Sequence, residues 1–209
     1  VTRVKVCGLT CEQDVRLAAG LGVWACGFVL SASPRQVAVG EARRLAAAAH
    51  DALTVAVVTT EPPGEIGNAL AATGCQAVQL SAGSDGAGVD EVRAAAQARG
   101  LRPLVIAAAD TPGAEHADLL LLDARRPGRY GGTGEHADWV AAARLAADRP
   151  LVLAGGLTPV SVGEAVAAVR PFAVDASSGL EASPGRKDAT LLRAFVEAVA
   201  AADAQGEPR

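Results

Sequence analysis

The chain has 209 residues and a formal net charge of −4; half of it is hydrophobic, but only 3% is aromatic and Met is absent. That length bounds one domain with a full core, which Ala, Val and Leu must build. Charges of both signs are scattered, which excludes a basic face for nucleic acid and a polybasic membrane patch, and no apolar run approaches a membrane span.

Only Lys5 and Lys187 are lysines, so arginine carries nearly all the positive charge. Cys7, Cys11, Cys26 and Cys75 form no CxxC pair and all three histidines lie far from them in sequence, so no zinc pattern exists. Reduced thiols and a cytoplasmic location are expected, with no signal-peptide pattern before the first apolar run.

Residues 4–7 form a short apolar run that ends at Gly8. Thr10-Cys11-Glu12-Gln13 fits a capping box, with Thr10 at the N-cap and Gln13 at the third helical position, opening a helix to about Leu21. Residues 24–30 read as a strand, followed by the loop SASPRQ and a helical stretch over 41–50. Residues 53–58 are β-branched and continuous, as befits a strand buried on both faces. Helix over 63–72, strand over 77–80, helix over 89–99 and strand over 104–107 follow. Residues 111–116 allow at most one or two helical turns. The strand at 119–123 leads into a long glycine-rich loop, ARRPGRYGGTGEHA, after which Asp138 caps a helix to about Ala147. Strand 151–154, helix 160–169 and strand 172–175 come next, and Asp188 caps a last helix ending near Ala201.

Eight apolar runs alternating with helical patterns argue for parallel strands joined by helical crossovers. Eight such units close a barrel, so the expected class is α/β, a single-domain (β/α)8 TIM barrel over 1–203 with a flexible tail over 204–209. A doubly wound open sheet is the rival, weakened because no GxGxxG follows the first strand.

In such a barrel, function sits at the C-terminal ends of the strands. Gly155 and Gly156 end the seventh strand without a Cβ, ahead of Thr158-Pro159 as N-cap and first helical residue. Ser177, Ser178 and Gly179 follow the eighth strand, and together the two turns suit a phosphate. Cys7 ends the first strand ahead of a helix; it reads equally as a small buried hydrophobe or as a reactive thiolate. Asp123 ends the sixth strand, as a loop cap or as a catalytic acid facing Cys7 across the mouth, where a base and an acid suit proton transfer next to a carbonyl or imine. Arg35 is either a solvated loop residue or a bidentate partner for a carboxylate. Asp175 either binds a sugar hydroxyl or stabilises a turn. One of Arg125, Arg126 and Arg129 could cover the site from its loop.

Several stretches resemble the phosphoribosylanthranilate isomerase family: KVCGLT at 5–10, SPR at 33–35, AVQL at 77–80, LLLD at 120–123, GGTG at 131–134 with Asp138-Trp139, LAGGLTP at 153–159 and PFAVDASSGLEASPGRKD at 171–188. The resemblance runs from the first strand to the last helix. It implies a cofactor-independent, metal-free isomerase of tryptophan biosynthesis. Such an enzyme rearranges N-(5-phosphoribosyl)anthranilate to 1-(2-carboxyphenylamino)-1-deoxyribulose 5-phosphate. The family's general base then maps onto Cys7, its general acid onto Asp123, its anthranilate-carboxylate arginine onto Arg35, and its phosphate loops onto Gly155-Gly156 and Ser177-Ser178. The implied partner is a small phosphorylated molecule, with no nucleic acid and no membrane, and the chain a monomer or homodimer. Departures are Ser81-Ala82-Gly83 where the family has His-Gly, Thr59-Thr60 after the third strand, Leu30-Ser31-Ala32 before SPR, and a fifth strand without the usual lysine. Alternatives are a paralogous isomerase of a related aminosugar phosphate and a non-catalytic sugar-phosphate-binding barrel. A dual-specificity enzyme of histidine and tryptophan synthesis, with an aspartate ending the first strand, fits Cys7 less well.

Overall fold

Short apolar runs of Val, Leu, Ala and Ile pair side by side because each is too hydrophobic to leave either face in water. The computed structural model describes residues 1–123 and 139–206. In it, β1 (Arg3–Val6), β2 (Ala25–Val29), β3 (Leu53–Val58), β4 (Ala77–Leu80), β5 (Leu104–Ala108), β6 (Leu119–Asp123), β7 (Leu151–Ala154) and β8 (Ala173–Ala176) close into a parallel barrel in chain order. Closure excludes the open sheet. The β1–β8 seam sets Lys5 opposite Asp175, and Cys7 N–H extends it by donating to Ala176 C=O at 2.9 Å.

Helices α1 (Glu12–Gly20), α2 (Val39–Ala47), α3 (Pro63–Thr73), α4 (Val89–Gln97), α5 (Trp139–Asp148), α6 (Val162–Val169) and α7 (Ala189–Gly206) surround the barrel. After β5 the crossover holds only a one-turn helix, Ala114–His116, as the sequence led one to expect. Among the described residues no helix is long and apolar enough to cross a membrane.

Alternation along each strand divides the core in two. Inward residues such as Ala25, Val55, Ala77, Ile106, Leu119, Leu121 and Val152 fill the barrel, with Cys7 at their upper edge. Outward residues, among them Phe28, Leu45, Leu70, Leu153 and Phe195, pack against the helices. The lower mouth is plugged by Phe172, with Trp24 edge-on at 5.4 Å and the Arg3 guanidinium 4.3 Å from its ring centre.

Three local expectations are corrected. Thr10 is not a helix cap: its hydroxyl donates to Gly185 C=O, and Cys11, extended at φ −144°, holds the N-cap with no side-chain bond. A tertiary partner has outcompeted the local one. Thr158-Pro159 do not open α6 either. Thr158 and Ser161 exchange backbone-to-side-chain hydrogen bonds at 3.1 and 3.3 Å, making a separate turn before the helix begins at Val162. The last helix runs beyond Ala201 to Gly206; its cap is as expected, with Asp188 accepting from Thr190 and Leu191 N–H. Asp138, Arg125, Arg126, Arg129 and the GGTG run lie outside the described residues.

Candidate active site

Cys7 is buried at the upper end of β1, two residues beyond Lys5 and on the same inward face. Room for both comes from Gly27 on β2: a Cβ there would lie 3.1 Å from Cys7 Sγ and 3.3 Å from Lys5 Nζ. Lys5 is fully buried and donates to Asp175 Oδ2 at 2.9 Å. Asp175 Oδ1 is buried with no hydrogen-bond partner among the described residues. Burial alone would lower the Lys5 pKa; Asp175 and Cys7 reverse that and raise it. Burial pushes the Cys7 thiol up, and Asp175 adds to this, while Lys5 and Lys187 pull against it.

Asp123 continues the inward series Leu119, Leu121 at the top of β6, where its carboxylate is exposed. On a barrel that series ends at the same mouth as Cys7, with β7 and β8 between them on one side.

The loops after β7 and β8 touch. Gly155 and Gly156 turn with φ of 107° and 68°. Ser177 is half-buried, and a one-turn helix, Ser178–Leu180, follows it with Ser178 exposed. Gly179 lies against the backbone after Gly156: a Cβ on it would sit 2.1 Å from Leu157 C=O. Gly179→Ala therefore has to separate the two loops. If they share a phosphate, losing one hydrogen bond to it costs about 1.5–3 kcal/mol, so KM is expected to rise about tenfold or more in steady-state assays, with kcat less affected.

Arg35 crosses above Gly8, whose φ is +70°; a Cβ there would meet Arg35 Cδ at 2.5 Å and Ser177 Oγ at 2.9 Å. Its guanidinium is partly buried. Nε and Nη2 donate to both oxygens of Glu181 at 2.8 and 2.7 Å, and Nη1 has no hydrogen-bond partner among the described residues. Glu181 opens a small hairpin, Glu181–Ser183 with Arg186–Lys187, that the sequence reading did not foresee. Its carboxylate also accepts from Lys187 Nζ at 2.9 Å, and Lys187 Nζ donates to Ser177 C=O at 3.2 Å. Asp14 of α1 anchors the hairpin by accepting Lys187 N–H.

Burial would raise the Glu181 pKa, but hydrogen bonds from Arg35 and Lys187, with their charges, hold it at about 2 against an ordinary 4.5. A carboxyl depressed on folding stabilises above its unfolded pKa and loses that contribution as pH falls. Urea unfolding of the native chain should therefore lose about 3 kcal/mol more between pH 5 and pH 2 than that of Glu181→Gln.

Lys5, Glu181 and Lys187 were thus missed as site residues. Their signal was their place inside the KVCGLT and GLEASPGRKD stretches and the scarcity of lysine. Of the departures, Ser81 accepts from Gln79 Nε2 at 3.0 Å, and Thr59 N–H donates to Ser31 Oγ at 2.9 Å, tying the loops after β2 and β3.

Residues 4–198 match the family described as N-(5'-phosphoribosyl)anthranilate isomerase. The N-(5'-phosphoribosyl)anthranilate isomerase of Rubrobacter xylanophilus is 40% identical over 207 residues, covering 95% of this chain and 98% of that protein. The crystal structure of phosphoribosyl anthranilate isomerase from Thermotoga maritima aligns at a TM-score of 0.80 and 34% identity, over 96% of this chain and all of that one. A second crystal structure of such an isomerase, in complex with reduced 1-(o-carboxyphenylamino)-1-deoxyribulose 5-phosphate, aligns at 0.77 and 32% identity, again over 96% and 100%. An eight-stranded barrel bearing these motifs, matched over nearly its whole length, belongs to the phosphoribosylanthranilate isomerase family.

Proposed function

We propose that this chain isomerises N-(5'-phosphoribosyl)anthranilate, with Cys7 as general base and Asp123 as general acid. The carrying observation is that both residues end inward-facing series at one barrel mouth, beside the joined loops after β7 and β8. The Asp123 carboxylic acid protonates the furanose ring oxygen, whose bond to C1′ breaks and leaves a protonated Schiff base. The Cys7 thiolate then removes the proton from C2′, giving an enolamine that tautomerises to the ketone 1-(2-carboxyphenylamino)-1-deoxyribulose 5-phosphate. Asp123 gives one proton and Cys7 takes one, the tautomerisation moves a third from the C2′ hydroxyl to C1′, and proton exchange with water restores both side chains, so the substrate's atoms are conserved and no redox cofactor is consumed.

Arg35 takes the anthranilate carboxylate through the guanidinium end that Glu181 leaves unused. Gly155, Gly156, Ser177 and Ser178 take the phosphate, where barrels of this class often use the loops after strands seven and eight and a short extra helix. The single turn after Ser177 is such a helix, which supports this reading. Asp175 receives a ribose hydroxyl on its unpartnered Oδ1. The likeness to the structure in complex with reduced 1-(o-carboxyphenylamino)-1-deoxyribulose 5-phosphate supports a ligand of that class. The reading puts the chain in the cytoplasm, as a monomer or homodimer that light scattering would distinguish.

The test is loss of anthranilate fluorescence as substrate is consumed, alongside complementation of a strain lacking this isomerase, with Cys7→Ala as control. Full turnover and growth are expected with the native chain, and turnover about 10²–10⁴-fold slower, without growth, with Cys7→Ala. Substrate binding without any fluorescence change at micromolar enzyme would instead establish a non-catalytic sugar-phosphate-binding barrel.

A further inference from the structure

The chain holds 19 Lys and Arg residues, of which only Lys5 and Lys187 are lysines. The fold brings both to Cys7. Lys5 approaches from β1, inside the barrel. Lys187 stands on the hairpin with its side chain buried, its Nζ 2.9 Å from Glu181 and 3.2 Å from the C=O of Ser177, the residue after Ala176, whose C=O accepts from Cys7 N–H.

The groups facing or paired beside the sulfur are Lys5 and Asp175 on β1 and β8, Lys187 and Glu181 on the hairpin, and Arg35 on the loop after β2. These are three cations against two carboxylates, each already engaged by a cation, with Asp14 accepting the Lys187 N–H behind the hairpin. A negative charge on Cys7 is drawn to the ammonium groups of Lys5 and Lys187.

We infer that Lys5 and Lys187 are positioning residues whose buried ammonium groups hold the negative charge that Cys7 carries when it acts as a base. Asp175 offsets the cost of burying the charge of Lys5, and Glu181 opposes the lowering that burial imposes on Lys187. Neither lysine touches the reacting carbon; each acts through the sulfur. The inference rests on the reading of Cys7 as the base, and it can be tested apart from it.

The experiment labels the intact protein with [13Cβ]cysteine and follows the Cys7 resonance by NMR as pH is raised. Cys7→Ala assigns the signal. In Lys187→Gln and Lys5→Met the Cys7 titration midpoint should move upward by one pH unit or more, a tenfold shift in proton affinity. The alkaline-rising limb of kcat/KM should move with it, with KM changed less than kcat. Lys187→Gln carries the test where Lys5→Met, which leaves Asp175 buried without its cation, fails to fold. A Cys7 midpoint unchanged in a folded variant overturns the inference. A midpoint that moves while the kinetic limb does not supports the charge assignment and overturns Cys7 as the base.

Discussion

Cys7→Ala is expected to lower kcat by about 10²–10⁴-fold, the usual share of a general base, while KM stays within a few-fold. Cys7→Ser should fare no better, because a hydroxyl of similar size does not ionise in this range. That comparison separates proton removal from mere hydrogen bonding. The fold should survive both changes. Cys7 lies at the upper edge of the barrel filling, not deep in it, and loses one sulfur atom beside a glycine. Far-UV circular dichroism and urea unfolding check the fold, and the fluorescence assay checks turnover. Native-like turnover in Cys7→Ala would remove the base from the proposed mechanism.

Asp123→Asn should cost a similar about 10²–10⁴-fold in kcat, since an amide cannot supply the proton that opens the ring. The two losses fall on different steps, and isotope effects tell them apart. With deuterium at C2′ of the substrate, Cys7→Ala should show a large primary effect, because removal of that proton limits the rate. Asp123→Asn should show almost none, because ring opening then limits. Equal isotope effects in both variants would rule out the assignment of acid and base to separate steps.

The barrel was legible in the chain because its strands are buried on both faces and therefore uninterrupted. The strands over 53–58, 77–80, 119–123 and 151–154 lie where the apolar runs place them. Local capping was less legible. Asp188 accepts from Thr190 and Leu191 N–H and caps its own helix, whereas Thr10 faces the hairpin and gives its hydroxyl to Gly185. Polar residues at strand ends, Cys7 and Asp123 among them, stood out because leucine and valine surround them. Arg35 stood out too, but its partner Glu181 did not, since that bond spans 146 positions.

By itself the sequence determined the number of strand–helix units, their order and the polar residues ending the strands, because hydrophobic periodicity and chain length act locally. Only the tertiary structure decided which charges meet. The register that closes β1 on β8 sets Lys5 beside Asp175 across 170 positions, and the hairpin brings Lys187 and Glu181 together with Arg35 at the same end of the barrel. Such pairings depend on barrel closure, and no short stretch of chain encodes closure.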